Sequence, residues 1–241
     1  MTTTATISSV TRLRLTSFFL ILAAAWSAAP AFAAPAAGDT YLNRVVNGYS
    51  KEVRGNVRYQ VDSVNANRVT LSVTPDKAEA GWAYTEIVTP EGNWLRNLVE
   101  SHGVPTEYEF ATAYPAYVFP LDPGKSWSVR VNATVPGGAP AQRSVRVDGV
   151  VMGSERIRVP AGEFDAVKVR RFVYPGDADF MRTETRITEF DWYVPALGRP
   201  VRVERRSGWM DLNQCSMAGG GACDFRGNWD VIELVTAPTK R

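Results

Sequence analysis

Histidine is almost missing from this chain, with His102 its sole representative. A Ser-His-Asp or Cys-His catalytic set would have to use that one imidazole. It sits in Glu100-Ser101-His102-Gly103-Val104-Pro105, which reads as an exposed turn. No G-x-S-x-G elbow is present to supply an activated serine. Cysteine is nearly as scarce, with only Cys215 and Cys223. One histidine and two cysteines are too few for an ordinary zinc or copper site, so no metal and no cofactor is expected. The Gly219-Gly220-Gly221 cluster lacks the Lys-Ser/Thr that completes a phosphate loop. Charge of one sign is also lacking. The formal excess is +2, and Arg12 and Arg14 account for it. Nucleic-acid binders normally carry a basic excess, so no nucleic-acid partner is expected. The mildly basic stretch 143–206 reads as solvated strand faces. Long apolar runs are missing as well: residues 18–25 are too few to cross a ~30 Å hydrocarbon core as a helix.

The N-terminus has a positive layout of its own. Arg12 and Arg14 precede the short apolar run, and Ala31-Phe32-Ala33 follows it. A basic start, a greasy centre and an A-x-A end make residues 1–33 a secretory signal peptide. Cleavage is expected after Ala33, or after Ala36 at the second A-x-A. The mature chain is then periplasmic or secreted and does not span the membrane. No cysteine lies near either cut, which argues against a lipid anchor. In an oxidising compartment Cys215 and Cys223 read as a disulfide across a glycine-rich loop, worth ~2–3 kcal/mol. A redox pair, the rival reading, favours C-x-x-C spacing.

From residue 37 onward the chain alternates with period 2, broken by Gly, Pro, Asn and Asp. Val57, Tyr59 and Val61 alternate with Arg58, Gln60 and Asp62. Val69, Leu71 and Val73 do the same, as do Val145 and Val147, Val167 and Val169, and Val201 and Val203. One apolar and one charged face per segment is the mark of antiparallel sheet with a wet side. Residues 92–104 are the one short stretch that reads as helix. Between 183 and 192 the apolar phase moves from Ile187 to Phe190 and Trp192, which reads as a β-bulge.

A gapless offset of 86 lays Gly38-Asp39-Thr40-Tyr41 on Gly124-Lys125-Ser126-Trp127, Val61-Asp62 on Val147-Asp148 and Val73 on Val159. Read as a repeat, it gives an N-terminal β subdomain at 37–118 and a C-terminal one at 119–238, which carries the disulfide loop. The proline-rich stretch 105–123 connects them. Alternating strands also match one another by chance.

Carboxylates come in pairs: Glu163 with Asp165, Asp177 with Asp179, and Glu189 with Asp191. Such pairs serve glycoside hydrolysis or calcium, but Asp177 and Asp179 lie at a hairpin tip, where turn chemistry explains them. Aromatic side chains are more suggestive. Trp82, Trp127, Phe190, Trp192 and Tyr193 are taken as an apolar ligand surface, with core packing as the alternative.

Four segments carry a family resemblance: residues 37–41, 119–127, 159–166 and 192–201. Val159-Pro160-Ala161-Gly162-Glu163-Phe164-Asp165-Ala166 followed by Trp192-Tyr193-Val194-Pro195-Ala196-Leu197-Gly198 is similar to the VPAG-x-F-x-A … WY-x-P-x-x-G pattern of exported, β-rich domain-of-unknown-function proteins of the bacterial envelope. The resemblance implies a β-rich envelope protein akin to the open half-barrels that hold lipid, and it transfers no catalytic residue.

The expected fold is therefore all-β: ten to twelve antiparallel strands in a twisted half-barrel, or two similar β subdomains sharing a core. The expected role is non-enzymatic binding of an apolar ligand such as lipid, or of an envelope protein partner. Two alternatives stand beside it: a hydrolase of envelope polymers using paired carboxylates, and a structural or assembly factor.

Overall fold

The computed structural model describes Met1 and residues 35–138, 140–212 and 223–238. The predicted signal peptide, residues 1–33, lies outside the described residues but for Met1, as does Cys215 and with it the predicted bridge. Cys223 lies just before the last strand, where its carbonyl accepts from Asp211 N–H at 3.1 Å. No described helix is long and apolar enough to cross a membrane.

The alternating segments form twelve strands: β1 (Thr40–Asn47), β2 (Val53–Asn65), β3 (Arg68–Pro75), β4 (Tyr84–Val88), β5 (Trp94–Ser101), β6 (Val104–Tyr114), β7 (Ser126–Thr134), β8 (Gln142–Val159), β9 (Gly162–Tyr174), β10 (Arg186–Val194), β11 (Arg199–Met210) and β12 (Asp224–Thr236). Each pairs antiparallel with its neighbours in sequence, and β1 pairs with β12 from Asn43↔Leu234 to Asn47↔Asp230. The sheet is a closed barrel, which corrects the expectation of a half-barrel. Closure gives both terminal strands a partner and removes the row of unpaired N–H and C=O groups that a half-barrel would leave at its edges.

Two local expectations are also corrected. Residues 92–104 form β5 and the turn into β6, not a helix. Asn97 points inward beside Val99, so a polar residue interrupts the apolar phase and hides the period of 2. Residues 183–192 hold no phase change against β9, and the one register shift nearby is against β11, between Trp192 and Tyr193. Ile187, Glu189, Asp191 and Tyr193 are all buried on one face of β10, and their register with β9 runs unbroken from Ile187↔Val173 to Tyr193↔Val167. Two carboxylates on the inner face made that strand look inverted.

The turn seen at Gly38 recurs at Gly124. Gly38 N–H donates to Val61 O, and Val61 N–H to Asp39 O, both at 2.8 Å. Gly124 N–H donates to Val151 O, and Val151 N–H to Lys125 O, again at 2.8 Å. Both glycines adopt positive φ (88° and 84°), which costs glycine nothing. The offset of 86 then fails across the hairpin: Thr40 faces Gln60, whereas Ser126 faces Val150.

One seam is short. β6 and β7 share only the pairs Glu109↔Thr134 and Phe110↔Ala133. The connector after β6 folds inward there, burying Ala116 and Tyr117 among Trp94, Tyr114, Val169 and Tyr193. Asn93 Oδ1 accepts from Tyr117 N–H at 2.8 Å and Trp127 Nε1–H donates to Pro115 O at 3.1 Å, fixing the inserted segment.

Candidate functional site

Period-2 alternation places Arg171 of β9, Glu189 and Asp191 of β10, and Arg205 of β11 on the buried face of adjacent strands. Arg171 is 2% exposed and binds both acids: its Nη2 lies 2.7 Å from Asp191 Oδ2 and 3.0 Å from Glu189 Oε2. Its Nη1 donates to Ala116 O at 3.0 Å, so the inserted connector completes its shell. Arg205 Nε donates to the other Glu189 oxygen at 2.6 Å, and Tyr117 Oη to Asp191 Oδ2 at 2.5 Å. Burial of one ion costs several kcal/mol, and only a set in which every charge is met is tolerated. Burial presses the Glu189 carboxyl upward, but Arg205 and Arg171 together outweigh it and hold the group below the usual carboxylate range.

Beside this network lies a partly open cavity of about 150 Å³. Tyr41, Val69, Leu71, Val88 and Val201 give it an apolar wall. Asn43, Glu86, Asn97, Asp191, Arg199 and Arg205 give it a polar one, with Tyr59, Tyr84, Trp94 and Tyr117 between. The β4–β5 turn (Thr89, Pro90, Gly92) and the β10–β11 turn (Leu197, Gly198) contribute at one barrel end. Arg199 covers the Tyr41 and Tyr59 rings at 4.0 and 5.0 Å. Asn97 Nδ2 donates to Glu86 Oε1 at 3.0 Å. Burial raises the Glu86 carboxyl, against the pull of Arg199 and Arg205. Burial likewise raises Tyr59 and Tyr84.

Four residues of the cavity lining carry a buried polar atom that meets no partner: Asp191 Oδ1, Asn43 Nδ2, Arg199 Nε and Arg202 Nε. A buried polar atom left unpaired costs about 1–3 kcal/mol, and these atoms have almost no accessible surface, so the cost falls on the wall itself.

The five aromatic residues singled out from the sequence do not line this cavity. Trp82 stands on the loop before β4, 66% exposed. Trp127 packs across the β7–β8 pair onto Gly149. Phe190 and Trp192 take the face of β10 opposite Glu189 and Asp191, where Lys168 and Arg202 lie 4.6 and 5.0 Å from the Trp192 ring and Glu155 accepts from its Nε1–H. Tyr193 is fully buried, its ring 4.7 Å from Tyr117. Sequence reading missed Asn43, Arg171, Asp191 and Arg205 as inner residues, because charged and amide side chains read as solvent-facing. The one available signal was the strand period itself: Arg171 continues the series Val167, Val169, and Arg205 continues Val201, Val203.

His102 is not on the surface. Its side chain is 6% exposed, within the tight turn closing Ser101↔Val104. Thr183 O accepts from its Nε2–H at 2.9 Å, Nδ1 lies 3.7 Å from Asp177, and Trp209 packs on the ring. Asp177 is itself buried, accepting from Thr185 N–H and Oγ1–H. The loop between β9 and β10 covers the turn, which is why a loop histidine is buried here. With Nε2–H donating to a carbonyl, that nitrogen is not free to take a serine's proton. Asp179 does serve turn chemistry: it accepts from Met181 and Arg182 N–H, and the Arg182 guanidinium holds its carboxyl down at about 2.

No family model matches the chain, and no curated protein matches it. Three solved structures are similar in the course of the backbone. A candidate lipoprotein from Parabacteroides distasonis shares 13% identity, covering 86% of this chain and 97% of its own, at a TM-score of 0.49. A candidate exported protein with YmcC-like fold from Bacteroides fragilis shares 15% identity over 87% and 100%, at 0.46. The hypothetical lipoprotein YmcC from Escherichia coli shares 8% over 83% and 85%, at 0.44.

Proposed function

We propose that this chain is an exported envelope protein that acts by binding, and that the cavity beside Arg171 and Asp191 is its ligand site. Export rests on the basic, apolar and A-x-A layout of residues 1–33. Binding rests on one observation above the others: a partly open cavity of about 150 Å³ whose lining is aliphatic at Val69, Leu71, Val88 and Val201 and polar at Asn43, Glu86, Asn97, Arg199 and Arg205. The aliphatic wall of Val69, Leu71, Val88 and Val201 accepts an apolar portion, while the polar lining meets a polar one. At about 150 Å³ the cavity takes a small molecule or one end of a longer amphiphile, not a whole acyl chain. Native mass spectrometry of protein purified from the periplasm, followed by denaturing extraction, tests this. A stoichiometric small-molecule adduct supports the reading; a clean apo mass that survives incubation with cell extract removes it.

The alternative of a protein partner draws on the β6–β7 seam. Along Ser126–Asn132, β7 is unpaired on its β6 side, and Ser128, Val129 and Arg130 are exposed. Such an edge accepts an extended strand. The hydrolase alternative draws on Glu86, a cavity carboxyl raised by burial.

A further inference from the structure

We infer that the cavity ligand is a small monocarboxylate with an apolar body, its carboxylate held by Arg199 and its body seated against Leu71 and Val201. The inference rests on the binding reading above and names its ligand class. Arginine outnumbers acid on the lining: Arg171, Arg199, Arg202 and Arg205 stand against Glu86 and Asp191. Three of the four cations are already answered by the protein. Arg171 holds Glu189 and Asp191, Arg205 holds Glu189, and Arg202 lies 3.5 Å from both Glu204 and Glu233. Arg199 is the lining arginine with no carboxylate within 4.0 Å among the described residues. It follows the β10–β11 turn at the barrel end, is half-buried, and covers the Tyr41 and Tyr59 rings. A carboxylate meets a planar guanidinium with two parallel, charge-assisted hydrogen bonds.

Glu86 is the lining acid not bonded to an arginine, and it does not call for a cationic guest. Its Oε1 accepts from Asn97, and Arg199 and Arg205 both act on it, so an ammonium there would stand among guanidinium groups. Burial favours the neutral form of Glu86, which lessens the repulsion an anion meets. A hydrocarbon would fill the apolar side and leave Arg199 without a counter-ion. A cavity of about 150 Å³ holds a body the size of one benzene ring.

The test uses the full chain after export. The Trp94 indole N–H, in the cavity wall, is followed in ¹H–¹⁵N spectra during titration with benzoate and hexanoate. Toluene, benzamide, benzylammonium and phenylalanine are the comparison probes, which keep an apolar body and change the head. The expected result is saturable movement of Trp94 with benzoate or hexanoate, about tenfold tighter than with any comparison probe. Arg199→Gln should weaken it about tenfold, and Arg199→Lys, which keeps the charge and loses the fork, about threefold. Arg199→Lys carries the comparison if Arg199→Gln fails to fold. A comparison probe that binds as tightly as the carboxylates overturns the inference and leaves the binding reading standing. Carboxylate binding unchanged in a folded Arg199 variant overturns the inference too. No movement with any probe also overturns it, and the incubation with cell extract then decides the binding reading separately.

Discussion

Arg171 Nη2 lies 2.7 Å from Asp191 Oδ2 inside the barrel, and the same guanidinium reaches Glu189 on the same strand. One cation thus holds two acids, while Arg205 supplies the second charge. The arrangement fixes β9, β10 and β11 relative to the inserted connector through Ala116 O. It also leaves the second Asp191 oxygen free of protein partners.

Arg171→Met should destabilise the protein by about 3–5 kcal/mol, because Glu189 and Asp191 would remain buried without their partner. Adding Asp191→Leu to that variant should recover part of the loss, since Glu189 keeps Arg205 as its partner. Urea unfolding of the single and double variants checks this. Equal loss in both would show that packing around Arg171, not charge pairing, carries the effect.

Glu86→Gln should stabilise the protein at neutral pH and become neutral in acid. Burial raises the Glu86 carboxyl in the folded state above its usual 4.5. The folded state therefore holds that proton more tightly than the unfolded one, and wild-type stability falls as pH rises from the unfolded value through the folded one. Glutamine removes this dependence and can keep the bond from Asn97. Thermal melts of both proteins should separate above the folded value and converge at and below pH 4.

Gly149→Ala should lower stability by about 1–3 kcal/mol, since the new methyl would stand 2.1 Å from Trp127 Cε2 across the β7–β8 pair. Trp82→Ala should stay within about 0.5 kcal/mol of wild type, as Trp82 is 66% exposed. Melting temperatures of the two variants, measured side by side, decide both. A large loss at Trp82 would reinstate it as part of a folded surface.

Strand identity was legible wherever valine marked the inner face, as at Val57, Val69, Val145 and Val201. It became illegible where the inner face turned polar. Glu189 and Asp191 made β10 look inverted, and Asn97 made β5 look helical. These residues line or adjoin the cavity, so the features that build the candidate site are the ones that blurred the pattern. Closure was illegible for another reason. The Arg44–Glu233 pair joins β1 to β12 across nearly the whole described chain, and local alternation says nothing about which strand a distant one will meet.

A high-resolution crystal structure of the protein purified from the periplasm tests the central claim most directly. The account predicts a closed barrel with density for a bound molecule in the cavity between Leu71 and Val201 on one side and Glu86, Arg199 and Arg205 on the other. Side chains filling that space, or isolated waters alone in it, would contradict it.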